Sequence, residues 1–229
     1  LSGFEGTRTY LVLLQNYDEL RPTGGFIGSY GVFQVSKGKI TEFFSEGSEH
    51  IDNRVPFGVA VPRSSEAVRT YLGQGYSYFR DSNWNPNFEE AAPEIVRVYA
   101  SENGKFASHI DGVIALTPEV FKTLLQKIGS ITVDGVEFNA DNFSDTLEYQ
   151  VEIAFAERGI TKAERKNIIA HLATAMLKKV TELPLSEMAS LLELAKQEGT
   201  KKNMMVFDYD KEIESMYAVS GWSGGWGNS

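Results

Sequence analysis

The chain has no cysteine. Disulfides, thiolate nucleophiles and cysteine-ligated metals are therefore excluded. Histidine is nearly as scarce: His50, His109 and His171 are the only three in 229 residues. None stands in the H-E-x-x-H or H-x-H spacing that brings two imidazoles to one zinc ion. No apolar run reaches the roughly 18–20 residues that cross a bilayer, and no segment has the order of a secretory leader. Basic residues never run more than two together, and the net charge is −9. Duplex nucleic acid selects a basic face, so no nucleic-acid partner is expected, nor an anionic membrane surface. A local anion site stays open, because a few Arg side chains dominate the potential at short range.

What is present suits a folded domain. Hydrophobic residues make up 42% and aromatics 12%, enough for a sizeable core, so one domain over 1–229 is expected. The chain opens on Leu1 without Met and closes on a Gly/Trp-rich stretch. Both ends read as cut from a longer protein, with 220–226 a flexible end or a loop lacking its partner.

Residues 9–15 (TYLVLLQ) form an almost continuous apolar run, the pattern of a buried strand. Residues 26–35 and 39–44 are rich in strand formers and flank Ser36-Lys37-Gly38, a hairpin turn. Residues 47–62 read as irregular. Ser64 or Ser65 caps a short helix that ends near Gly73, and 73–88 is a long loop. A helix over 89–100 precedes a second buried strand, 109–116 (HIDGVIAL). Thr117 caps a helix with Pro118 at its first position and Gly129 at its end. Asp134-Gly135 joins two further short strands. Helices follow over 141–156, from a capping box at 161–164 to about 182, over 184–198 and over 208–219, with a strand at 204–207 between the last two. The alternation predicts an α/β fold: a single mixed β-sheet sandwiched by helices.

Three segments offer chemistry. The first is 19–26 (ELRPTGGF). Gly24 and Gly25 permit backbone closed to other residues, their N–H groups suit an anion nest, and Arg21 supplies a fork of donors. A tight turn with an exposed Arg fits the same residues, and the P-loop ending is missing. The second, 80–88 (RDSNWNPNF), sets Arg80 for an anion and Asp81 for a divalent cation, beside Asn83. A loop held by Asn side chains, with Trp84 and Phe88 plugging the core, fits equally. The third, Glu157-Arg158 and Glu164-Arg165-Lys166, reads first as solvated helix face. His109 and Asp111 alternate to one side of their strand and offer a dyad. No G-x-S-x-G elbow exists for a serine hydrolase.

The blocks TYLVLLQNYDELRPTGGFIGSYGVFQVSKGKI, RDSNWNPNFEEAA and IDGVIALTPEVFKTLLQKIGSITVDG together resemble the bacterial DUF4012 family over nearly the whole chain. The resemblance implies an extracytoplasmic, cell-surface domain anchored to the cytoplasmic membrane by a helix preceding Leu1. A more distant likeness is to the LytR-CpsA-Psr phosphotransferases, which move polyprenyl-pyrophosphate-linked glycopolymers onto peptidoglycan. That likeness implies a LytR-CpsA-Psr-like fold, with phosphate held by Arg21, Gly24, Gly25, Asn83 and Arg165. It implies catalytic roles for Arg80 and Asp81, with Asp81 also binding Mg²⁺ or acting as base on the acceptor hydroxyl. The ligand would be a phosphate-linked lipid or glycan; the PRDT wording of that family is absent here. Such chemistry neutralises a leaving pyrophosphate with Arg and Mg²⁺ and needs neither Cys nor His. Two alternatives stand beside it. One is a non-catalytic adhesion or architecture module in which Arg21 and Arg80 pair with Glu19 and Asp81. The other is a hydrolase built on His109 and Asp111.

Overall fold

The computed structural model describes residues 3, 6–17, 19–55, 61–161, 165 and 167–225. Strand β1 (Arg8–Asn16) is the apolar run and the middle strand of a five-stranded sheet. One face is buried and the other largely covered, which is why its sequence hardly alternates. The hairpin β2 (Phe26–Ser36) and β3 (Lys39–Gly47) pairs antiparallel beside it. Lys37 and Gly38 take φ of 50° and 74° at its turn, the mirror-image geometry that matches strand twist.

The chain then crosses from β3 to the other side of β1. This crossover carries α1 (Ser48–Asp52), α2 (Glu66–Leu72), a 3₁₀ turn at Phe79–Asp81 and α3 (Phe88–Ser101). It returns as β4 (Gly112–Leu116), parallel to β1. Helix α1 corrects the expectation of irregular chain after 47. Strand β4 is shorter than expected, because Ala107–His109 form a 3₁₀ turn instead of extended chain.

Helix α4 (Pro118–Ile128) leads to the ribbon β5 (Ile131–Val133) and β6 (Val136–Phe138), which pairs only with itself. Helix α5 (Phe143–Tyr149) runs through a π-helical stretch, Gln150–Ala154, into α6 (Phe155–Glu157). Then come α7 (Asn167–Thr181), α8 (Leu185–Thr200), β7 (Met204–Asp208) antiparallel to β4, and α9 (Lys211–Val219). The capping box at 161–164 falls largely outside the described residues. The sheet is mixed and flanked by helices, as expected, with the second hairpin standing apart from it.

Two apolar clusters form. In one, Leu11, Leu13, Val113 and Phe207 of the sheet meet Phe88, Ala92, Ile95 and Val98 of α3. In the other, Leu125 and Ile128 of α4 meet Phe138, Phe143, Leu172 and Met176. Residues 220–225 dock against the first: the Trp222 ring stacks on Tyr217, its carbonyl accepts from the Val206 N–H at 2.9 Å, and the Gly224 carbonyl accepts from Phe88 N–H at 3.3 Å. That part of the tail is therefore built into the fold, contrary to expectation; Trp226 lies outside the described residues.

Candidate functional site

A cavity of about 1050 Å³ opens beyond the carboxyl ends of β1 and β4, the end where open α/β sheets take ligands. Leu14, Gln15, Asn16 and Tyr17 of β1 and the loop after it form one wall, with Phe26, Gly28 and Ser29 of β2. Opposite stand Phe121, Phe143, Leu147, Val151, Ile169 and Leu172 from the second cluster. Charged and polar groups complete the lining: Arg80, Arg54 and His50 on the α1 side, and Arg165 with Glu152 on the other. One side of the cavity is thus apolar, while the rest carries three guanidinium groups together with the carboxylates of Glu19, Glu49, Glu148 and Glu152.

The sequence candidates divide sharply. Arg80 and Arg165 line the cavity. The Arg80 side chain is 35% exposed, with Nε 3.0 Å from Asp52 Oδ2. Arg165 Nη1 pairs with Glu152 at 2.6 Å, and its Nε is buried without a hydrogen-bond partner. Arg158 is exposed and lines a smaller neighbouring hollow shared with Arg165.

Arg21, Asp81, Asn83, Gly24 and Gly25 are not brought to the cavity. Arg21 donates through Nε and Nη2 to Asp81 Oδ1 at 3.1 and 2.6 Å, with side chains 11% and 1% exposed. Its guanidinium also stacks over Phe26 and Trp84. Asn83 is fully buried and donates to Thr23 Oγ1 and the Gly25 carbonyl, each at 2.8 Å. Thr23 accepts a further bond from Gln15 Nε2 at 2.9 Å. The Gly25 N–H is taken by the Arg21 carbonyl at 3.2 Å, so it offers no anion nest. Both glycines answer a packing demand: Gly25 has φ 115°, and a Cβ there would lie 2.0 Å from the Asn16 carbonyl oxygen. These two blocks form a staple that clamps the loop after β1 to the crossover.

Asp81 consequently does not fit as a Mg²⁺ ligand: it is buried and faces a guanidinium. No group of three His, Cys, Asp or Glu side chains among the described residues is arranged to hold a metal ion. His109 and Asp111 form no dyad. His109 is exposed, while Asp111 accepts from the Thr9 N–H at 2.7 Å and caps the start of β1. Asn85 and Asn87 order the start of α3: Asn87 Oδ1 accepts from the Glu89 N–H at 3.1 Å.

The residues sequence reasoning missed lie around Arg80 and Arg54. Arg54 pairs with Glu46, which also accepts from the Tyr30 hydroxyl. Asp52 and Glu102 are buried acids behind Arg80. A charged residue at the end of a short helix, or one just past α3, looks like ordinary surface in one dimension.

The family model described as "Protein of unknown function (DUF4012)" matches residues 5–151, well over half of the chain. The chain belongs to the DUF4012 family. The matched region contains the whole staple, β1 to β4 and the wall of the cavity up to Val151; Arg165 and α7 lie beyond it. No curated protein sequence matches this DUF4012 chain significantly. Among solved structures, protein gbs0355 from Streptococcus agalactiae superposes with a TM-score of 0.55 at 12% identity, over 95% of this chain and 73% of that one. Lin1025 from Listeria innocua gives 0.47 at 16% identity, over 95% and 78%. TagV from B. subtilis gives 0.45 at 11%, over 98% and 81%. At such identities the gbs0355 likeness speaks to the fold alone.

Proposed function

We propose that the cavity binds an amphipathic anion, of the kind in which a prenyl chain carries a pyrophosphate-linked glycan, in the manner the LytR-CpsA-Psr resemblance implies. One observation carries this reading: Arg54, Arg80 and Arg165 share a cavity of about 1050 Å³ with an apolar wall of Phe121, Phe143, Leu147, Val151 and Ile169. The guanidinium groups suit a phosphate head, and the hydrocarbon side suits its tail at roughly 0.8 kcal/mol per buried methylene. Within this reading the protein works on the outer side of the cytoplasmic membrane, where such lipids display their glycans, held by a segment outside this chain. Among the described residues, no helix is long and apolar enough to cross a membrane.

The proposal is for binding and presentation of the ligand. Transfer would need a base and a Mg²⁺ site, and Asp81, the residue expected to supply one or the other, is buried away from the cavity lining. The non-catalytic reading paired Arg21 with Glu19 and Arg80 with Asp81; the partners differ, but Arg21 is sealed against a carboxylate, so we assign that half of the site to architecture.

Calorimetry with a soluble short-chain polyprenyl pyrophosphate, beside inorganic pyrophosphate, tests the reading. Micromolar binding of the first is expected, with the second weaker by tenfold or more for want of about two buried methylenes' worth of contact or greater. Arg80→Ala weakens both by about tenfold, the weight of one charge-assisted contact. Equal affinity for the two anions, or no binding of either, would remove the proposal and leave the envelope module.

A further inference from the structure

Behind the cavity wall lies a set of charges that ligand contact alone leaves without a task. Arg80 faces the cavity but is held from behind by Asp52, whose side chain is 1% exposed. Beyond Asp52 is Glu102, fully buried just past α3, with Oε1 accepting from the Phe79 N–H at 2.9 Å. The Asp52 and Glu102 carboxyls are in hydrogen-bonding contact with each other. Two ionised carboxylates cannot make such a bond, since neither has a donor. Asp52 Oδ1 and Glu102 Oε2 are both buried without another partner. One proton held between the two acids resolves the arrangement.

We propose that Asp52 and Glu102 are positioning residues for Arg80: a carboxyl pair that shares one proton, fixes the guanidinium at the cavity wall, and weakens anion binding there when that proton leaves. This rests on the reading of the cavity as an anion site.

The direction follows from the charges. Burial, then the Asp52 charge, pushes Glu102 up to about 8. Burial also raises Asp52, but the adjacent Arg80 favours its ionised form, so the proton rests on Glu102. With the proton in place, the pair carries one negative charge against the one positive charge of Arg80. Without it, two negative charges outweigh Arg80 and repel an anion. Other charged groups face the same space: Glu19 of the β1–β2 loop and Glu49 of α1 line the cavity with Arg80. Asp81, from the same 3₁₀ turn, lies 3.9 Å from Arg80 Nε and is itself paired with Arg21 at 2.6 Å, and Glu46 of β3 is paired with Arg54. Tyr30 of β2 and Tyr99 of α3 are held above the ordinary phenol range by burial and keep their protons. His50 of α1 lines the cavity and is removed in the test by a His50→Gln background.

The test follows the Arg80 Nε resonance of the isotope-labelled 229-residue chain from about pH 6 to about 9.5, a range above ordinary carboxyl values. Sulfate binding is measured in parallel, because the charge of sulfate is constant across that range. The expected result is a resonance shift with its midpoint near the raised Glu102 value, and a fall in sulfate affinity of roughly tenfold, as for one unit charge a few ångströms away. Both are absent in Glu102→Gln, whose amide keeps the Phe79 bond, and in Asp52→Asn, the second variant should the first not fold. A resonance that stays still, or a shift that persists in both variants, overturns the pair while sulfate binding keeps the cavity reading intact. A resonance that moves as expected with no sulfate bound at any pH means that the anion-site reading is what failed, and the proposal falls with it.

Discussion

Arg21 and Asp81 stand 2.6 Å apart with almost no exposure. At that burial the attraction mainly offsets desolvation, and the large effect comes from removing one partner. Arg21→Ala strips the buried Asp81 carboxylate of its 2.6 Å partner and leaves it with Arg80 Nε at 3.9 Å. Urea denaturation should show a loss of about 3–5 kcal/mol, while polyprenyl pyrophosphate binds the folded fraction as before. Lost affinity with stability unchanged would return Arg21 to the ligand. Arg80 makes the contrast: it is 35% exposed, so its replacement acts on binding more than on folding. Two arginines that read alike in sequence are separated by what stands opposite each of them.

At the level of elements, the loop between β1 and β2 is set by close approach of backbone to backbone. Gly25→Ala places a methyl against the Asn16 carbonyl at positive φ, and the end of β1 must shift. A cost above about 2 kcal/mol is expected, since left-handed strain adds to the clash. Gly135, in the β5–β6 turn, has φ 77° with open space around it. Gly135→Ala should cost only about 1 kcal/mol, the conformational part alone. Thermal melts of the two variants give the comparison. Equal losses would mean that the Asn16 contact relaxes freely and that the staple is softer than its burial suggests.

The whole molecule holds two apolar clusters, and the cavity lies between the β1–β2 end of the sheet and the second of them. That second cluster is built on short ribbons and helices, with no wide sheet to tie it down. Phe138→Ala removes a fully buried ring there, at about 3–5 kcal/mol. Hydrogen exchange should then speed up in α5 through α7 while β1 and β4 stay protected, because opening follows local contact density. The lipid pyrophosphate should slow the same helices. Uniform acceleration across both clusters would instead show one cooperative unit, and the cavity would lack a movable wall.

Short-range physics was open to reading from the residues. A central strand covered on both faces needs an unbroken apolar run, and 9–15 is one. Lys37-Gly38 and Asp134-Gly135 supply the positive φ of hairpin turns. Ser65 caps α2 by accepting from the Val68 N–H, and Gly73 ends it at φ 67°, each satisfied within a few residues of chain. The cavity residues were half legible: Arg80 and Arg165 were marked for charge in polar segments, but so were Arg21 and Asp81, and residue type alone cannot say which charge meets water. That choice depends on partners far apart in sequence. Arg21 finds Asp81 sixty residues on, as Asn83 finds Thr23. Asp52 and Glu102 come together only because the crossover packs α1 and α3 against the same 3₁₀ turn, Phe79–Asp81. The apolar residues of α4 and α7 have the spacing of a core stripe, and only the gap left between that cluster and β1 makes some of them the wall of a cavity. Local propensity decided the elements; the desolvation of charges and the space between clusters, which exist only once the chain is packed, decided the site.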